Sequence, residues 1–189
     1  MTTPSLDTAR AVLEELVGSG MRHLVVAPGS RSAPLAYAAA AAHAAGALEV
    51  HVRVDERGAA FTALGIARAT GRPAGVVTTS GTAVGNLLPA VMEADHAEVP
   101  LVVLSADRPP ELRGTGANQT TRQPGIFGEH VRAALDLLPE DRDVPARLAG
   151  PLAALTGRGP GGARPFGEHV RAALDLLPED RDVPARLAG

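Results

Sequence analysis

Four short segments, residues 23–27, 48–54, 74–78 and 101–105, constrain what this chain can fold into more than any other feature. Each is rich in Val and Leu and mostly lacks polar alternation, the pattern of strands covered on both faces of a parallel sheet. Stretches of helical character separate them. Residues 6–18 place Ala9, Val12, Leu13 and Leu16 on one helical stripe, and 33–45, 57–69 and 82–97 are helical by composition and length. The order α-β-α-β-α-β-α-β requires right-handed crossovers and predicts an α/β fold: a doubly wound, mostly parallel sheet with helices on both faces. Aromatic residues make up only 2% of the chain, so its core is built from Ala, Val and Leu.

Beyond Asp107 the texture changes. Residues 108–125 are rich in Pro, Gly, Thr, Asn and Gln and read as a long irregular loop, a kind that is usually functional or disordered. A helix near 128–138, a turn at 139–143 and a helix near 145–156 are expected next, then a flexible connector at 157–165, GRGPGGARP. Residues 166–189 then repeat residues 127–150 without one change. Natural repeats keep a pattern while their sequences drift, so perfect identity points to an event in the DNA or its assembly. The chain therefore divides into a domain over 1–165 and a copied tail over 166–189. The tail, with no docking surface evolved for it, is expected to be exposed, poorly packed or an isolated amphipathic helix over 167–177.

The net charge of −3 gives no clue to a partner. Each copy of the repeated segment holds five acids and three Arg, so the two contribute −4 and the rest of the chain +1. No basic patch suggests nucleic acid. The absence of Cys excludes disulfides, Cys-zinc sites and thiol catalysis, and it fits a cytoplasmic protein. The first six residues lack the basic and apolar regions of a signal peptide, and the longest apolar run, 33–42, is too short to cross a bilayer. The histidines, His23, His43, His51, His96, His130 and His169, show no metal-ligand spacing, so no metal site is expected within the chain. Neither dinucleotide nor P-loop glycine motifs, nor a GxSxG elbow, occur in it.

In an open α/β sheet, ligands bind outside the carboxyl ends of the strands. There the four strands are followed by Pro28-Gly29-Ser30-Arg31-Ser32, by Asp55-Glu56-Arg57, by Thr79-Ser80-Gly81-Thr82 and by Asp107-Arg108-Pro109-Pro110. Each loop has an ordinary structural reading. Glu56 suits the first turn of a helix, where the dipole favours an acid by about 0.3–1 kcal/mol. Arg31 and Arg108 can pair with Asp55, Asp107 or Glu111, or their planar forks can recognise carboxylates. Ser80-Gly81-Thr82 can cap a helix or hold an anion at its N-terminus, and Gln119 can be a loop amide in water.

Taken together, APGSRSAPL (27–35), VDERGAAFTALGIA (54–67), TTSGTAVGNLLPAVMEA (78–94) and SADRPPELRGTGANQTTRQPGIFG (105–128) resemble one family. This is the N-terminal, pyrimidine-binding domain of the thiamine-diphosphate enzymes that act as 2-succinyl-5-enolpyruvyl-6-hydroxy-3-cyclohexene-1-carboxylate synthases in menaquinone biosynthesis. The resemblance runs from about residue 5 to about residue 165, with Gly85 standing where the family more usually has Ala. It implies a transferase in which thiamine diphosphate, held with Mg²⁺, decarboxylates 2-oxoglutarate and the succinyl-carbanion equivalent adds to isochorismate. It further implies that Glu56 contacts N1′ of the pyrimidine, that Arg31 and Arg108 hold the isochorismate carboxylates, and that Ser30 and Gln119 surround the reacting intermediate. Thr79, Ser80 and Gly81 would wall the pyrimidine.

The family holds the diphosphate and Mg²⁺ in a separate domain, with a Gly-Asp-Gly motif and an Asn, and completes its site with a second subunit of a homo-oligomer. The chain has no Gly-Asp-Gly, and where the family runs into a last strand of Pro-Val-His-Leu-Asn type, Phe166 restarts the copied segment. A truncated domain, inactive alone and lacking that strand, is the expectation. Two other readings stay open: the pyrimidine domain of a thiamine enzyme of acetolactate-synthase type, and a non-catalytic α/β binding module that uses its tail to contact a partner.

Overall fold

Six strands, β1 (His23–Val26), β2 (Glu49–Val52), β3 (Ala74–Thr78), β4 (Leu101–Ala106), β5 (Ala133–Leu137) and β6 (Ala172–Leu176), form one sheet in the order β2-β1-β3-β4-β6-β5. Every neighbouring pair is parallel. The computed structural model describes residues 3–139, 141, 143–155 and 172–176, with the side chains of 154, 155 and 172–176 left aside. Among the described residues six α-helices accompany the strands: α1 (Pro4–Gly18), α2 (Ala33–Ala44), α3 (Glu56–Thr70), α4 (Thr82–Gly85), α5 (Leu88–His96) and α6 (Val144–Leu155).

Alternation along the strands builds two cores. Leu24, Val26, Val77, Val102, Leu104 and Leu137 pack with Leu13 and Leu16 of α1, Leu35 of α2 and Leu148 of α6. Val25, Val76, Leu101 and Val103 point the other way, onto Ala60, Ala63 and Ala67 of α3 and Ala90 and Val91 of α5. β3 and β4 are buried along their whole length, which is why they read as unbroken apolar runs. The expected doubly wound α/β fold is present, and its parallel strands bring their carboxyl ends to one edge. Among the described residues no helix is long and apolar enough to cross a membrane.

Three expectations are corrected. The helix expected over 82–97 is two helices, broken between Gly85 and Leu88. Pro89 explains the break: it has no N–H to give an upstream carbonyl, and it sits in the first turn of α5, where none is needed. The helix expected near 128–138 is a single 3₁₀ turn, Gly128–His130, followed by β5. The intrinsic helix preference of Ala-Ala-Leu-Asp-Leu yields there to pairing in the sheet, a tertiary override of a weak local signal.

The third correction concerns the copied tail. Where described, it is a strand rather than a helix, and β6 lies between β4 and β5 with Val102 to Ala106 partnering Ala172 to Leu176. The same five residue types thus occur side by side, Ala133 to Leu137 in register with Ala172 to Leu176. The two copies occupy different places, β5 at the sheet edge and β6 inside it, but the second is not a detached helix. The described part of the copy thus adds a strand to the sheet, between β4 and β5. The connector at 157–165 and the rest of the tail lie outside the described residues.

Candidate functional site

The loops leaving β1, β2, β3 and β4 lie at the carboxyl edge, as expected. The β1 loop reaches β3 because Gly29 has no side chain: a Cβ there would stand 2.4 Å from Cβ of Thr79. Ser32 closes the loop by donating to the Gly29 carbonyl at 3.0 Å. This holds Arg31 over the third loop, where its Nη1 donates to Oγ of Ser80 at 3.1 Å and to Oε1 of Gln119 at 2.6 Å. Ser80, fully buried, donates in turn to the Gln119 carbonyl at 2.8 Å. Gln119 has φ 58°, a left-handed backbone that turns both its carbonyl and its side chain toward these groups.

Gly81 completes the junction. Its φ is +81°, and a Cβ on it would lie 3.0 Å from the Gln119 backbone, so both conformation and space call for glycine. Its N–H donates to Oε1 of Gln123 at 2.8 Å, and Nε2 of the buried Gln123 donates to the Ala106 carbonyl at 2.9 Å. One side chain thereby fastens the third loop to the end of β4.

From β4, Arg108 donates through Nη2 to the Asn118 carbonyl at 2.8 Å, the carbonyl that Nη2 of Arg31 also reaches, at 3.4 Å. Two cations converge on one peptide oxygen, and Nε of Arg31 is buried with no hydrogen-bond partner among the described residues. The Arg31 guanidinium donates to Ser80, Asn118 and Gln119. Behind them Asp107 is fully buried, accepts from the Arg108 N–H at 2.7 Å and lies 3.1 Å from Nε of Arg113. Burial pushes its carboxyl above the usual carboxylate range, against the lowering pull of the Arg108 N–H and the Arg113 charge.

Glu56 opens α3 directly after its N-cap, Asp55, whose side chain accepts from the Gly58 N–H at 2.6 Å. Oε2 of Glu56 accepts from Nδ2 of Asn86 at 3.3 Å, so the break between α4 and α5 supplies the residue that orients it. Of the sequence-predicted residues, Arg31, Ser80, Gly81, Arg108 and Gln119 form one connected group with Thr79 against Gly29. Ser30 lies in the same β1 loop, and Glu56 stands at the same edge on the far side of β1.

Residues 6–126 match the family model described as thiamine pyrophosphate enzyme, N-terminal TPP binding domain. The chain belongs to this family. It is 61% identical over 156 residues to 2-succinyl-5-enolpyruvyl-6-hydroxy-3-cyclohexene-1-carboxylate synthase of Arthrobacter sp. (strain FB24), covering 82% of this chain and 26% of that protein. The synthases of the same name from Paenarthrobacter aurescens (strain TC1) and Renibacterium salmoninarum are 61% and 62% identical, over 81% and 80% of this chain and 27% of each relative. The chain thus spans about a quarter of the length of the relatives it matches.

All the candidate residues of this thiamine pyrophosphate enzyme domain, from Ser30 to Gln119, fall inside the matched stretch. Asn86, Asn118, Arg113 and Gln123 were not singled out in the sequence. A buried glutamine joining two loops leaves no local signal, whereas Asn86 beside a proline-broken helix is a trace that could have been followed.

The Gly29–Thr79 approach gives a direct test. Gly29→Ala must push the β1 loop off β3, because the obstacle is a Cβ and not a flexible chain end. The expected cost is about 1–3 kcal/mol in urea unfolding. A variant within a few tenths of wild type would show that the loops do not meet this closely.

Proposed function

We propose that this chain is the pyrimidine-binding part of a 2-succinyl-5-enolpyruvyl-6-hydroxy-3-cyclohexene-1-carboxylate synthase, a transferase that decarboxylates 2-oxoglutarate and adds the succinyl unit to isochorismate. The observation that carries this is the placing of Glu56 on the sheet edge that also holds the Arg31–Ser80–Gln119–Arg108 group, in a chain 61% identical to synthases of that name. The donor set suits the pyrimidine end of thiamine diphosphate. Glu56 is held through one oxygen by Asn86, leaving the other to accept from a ring N–H. Thr79, Ser80 and Gly81 form a buried wall beside the loops, with no Cβ at Gly81.

When bound, the cofactor supplies the electron sink for decarboxylation and carbon transfer. Glu56 holds a proton at the ring nitrogen N1′, which is general acid–base work done at a distance from the reacting carbon. Arg31 and Arg108 offer guanidinium forks to the carboxylates of isochorismate, and Ser30 and Gln119 border the reacting atoms. Magnesium requires a shell of oxygen ligands; we place these, with the diphosphate grip, in a separate domain carrying the Gly-Asp-Gly motif this chain lacks.

A second subunit is part of the reading. Val52 and Val54 at and just beyond the end of β2 are 58% and 87% exposed, and Phe61 on α3 is 41% exposed, so apolar side chains stand exposed on both elements that flank Glu56, as a protein partner would require. A cytoplasmic location fits a cysteine-free chain. The organisation into a domain over 1–165 and a tail over 166–189, copied from 127–150 by an event in the DNA or its assembly, belongs to the same proposal.

The arginines test it in the intact synthase. Arg31→Ala and Arg108→Ala should each raise KM for isochorismate by about 10–100-fold, since a hydrogen bond to a charged group is worth about 1.5–3 kcal/mol. Carbon dioxide release from 2-oxoglutarate without isochorismate should change far less. Equal loss in both assays, or an intact protein that does not turn over 2-oxoglutarate with thiamine diphosphate, would overturn the reading.

A further inference from the structure

At the opposite edge of the sheet from Glu56, where the strands begin, two histidines and a glutamate converge. His23 is the first residue of β1 and Glu49 the first of β2, and the two are partners across the parallel ladder. His51 follows Glu49 by two residues, so strand periodicity returns it to the same face. Nδ1 of His23 lies 3.3 Å from Nε2 of His51. The Glu49 carboxylate spans both rings, with Oε2 at 3.5 Å from Nδ1 of His23 and Oε1 at 3.8 Å from Nε2 of His51.

These distances decide between two accounts. The two ring nitrogens can share one hydrogen bond, but the carboxylate is not part of it, because N–H···O bonds are about 2.7–3.2 Å long and both His–Glu contacts are longer. Ligands at about 2.0–2.2 Å from a tetrahedral zinc ion stand about 3.3–3.6 Å apart, which matches the N···N separation and one N···O separation and comes close to the other. The ligand types also suit the metal, since imidazole with carboxylate is a zinc set rather than a calcium or magnesium one. The histidine rings are about one-quarter exposed and the Glu49 side chain 60% exposed, so an ion can enter and a fourth ligand can be water.

We propose that His23, Glu49 and His51 form a binding site for a divalent transition metal of the zinc class, joining β2 to β1 at the amino end of the sheet. The histidines showed no metal-ligand spacing in the sequence because the pairing is made by strand register between His23 and Glu49, 26 residues apart. The site is separate from the sheet edge that carries Glu56. A metal here fixes the edge strand whose far end delivers Asp55 and Glu56, and so braces the site without taking part in it.

The test uses the full 189-residue chain without a tag, titrated with Zn²⁺ against a chromophoric chelator, and with Co²⁺ as a spectroscopic probe. One equivalent of Zn²⁺ should bind and raise Tm, and chelation should reverse that rise. Co²⁺ should give the visible bands of a tetrahedral nitrogen and oxygen set. His51→Ala and Glu49→Gln should each weaken Zn²⁺ binding by at least roughly tenfold, the least that losing even an outer-sphere partner usually costs, while His43→Ala leaves it unchanged. Because Glu49 is largely exposed, its conservative variant keeps the fold, which circular dichroism checks. Failure of wild type to bind Zn²⁺ stoichiometrically, lack of tetrahedral Co²⁺ bands, or undiminished binding in both cluster variants would overturn the proposal.

Discussion

Glu56→Gln in an intact synthase carrying this domain is expected to slow exchange of the thiazolium C2 proton by about 10²–10⁴-fold, the usual worth of a placed general acid–base group. The substitution keeps the size and the hydrogen-bonding reach of the side chain and removes only the charge. Asn86 donates to the Glu56 carboxylate at 3.3 Å, and it can donate equally to the glutamine oxygen, so the side chain stays in place. What is lost is the ability to hold a proton between the side chain and N1′. Affinity for the cofactor should fall much less, because the reading places the diphosphate grip elsewhere. The same reading expects the 189-residue chain alone to release no carbon dioxide from 2-oxoglutarate. Two measurements check it: deuterium exchange at C2 by NMR in the variant, and carbon dioxide release by the isolated chain. Near-normal exchange, or turnover by the fragment, would move the chemistry away from Glu56.

The parts of this molecule that were legible in its sequence are those where burial dictates composition. β3 and β4 are wholly covered, and their unbroken Val and Leu runs say so. The loops of the candidate site were legible for a topological reason: once the strands are parallel, the residues after each strand share an edge. β5 was not legible, because Ala133 to Leu137 favour helix locally and are only partly buried at the sheet edge. Nor was β6, since nothing in a copied segment announces that it will occupy an interior position between β4 and β5. The contacts that join loops were the least visible. Gln123 links Gly81 to Ala106 over long separations, and the His23–Glu49–His51 cluster exists only through register. Such pairings depend on which strands become neighbours, and single residue types do not encode that.

Arg113→Ala is expected to cost about 3 kcal/mol of stability, at the lower end for breaking a buried ion pair by removing one partner. Arg113 stands between two acids. Its Nη1 and Nη2 donate to Asp136 of β5 at 2.6 and 2.9 Å, and its Nε lies 3.1 Å from Asp107 at the end of β4. It therefore ties the last residues of a central strand to the edge strand through charge. Removing it leaves Asp107, fully buried, facing Asp136 without the Arg113 charge between them, and their mutual repulsion adds to the burial that already raises the Asp107 pKa. The pH dependence follows from that direction. An acid whose pKa is raised on folding keeps its proton in the folded chain after the unfolded chain, titrating near about 3.9, has released it. The folded state then binds more protons, so stability falls as pH rises from about 4 through the raised value and levels off above it. Asp107→Asn should flatten that part of the profile, and Arg113→Ala should steepen and extend it toward higher pH. In the double variant the neutral amide no longer needs the cation, so the two costs should be less than additive by at least about 0.5 kcal/mol. Urea unfolding across pH 4–8, within the usual range of maximal stability and just below it, gives all four corners of the cycle. Additive costs with parallel pH profiles would show that Arg113 supports the fold by packing, and not by neutralising Asp107.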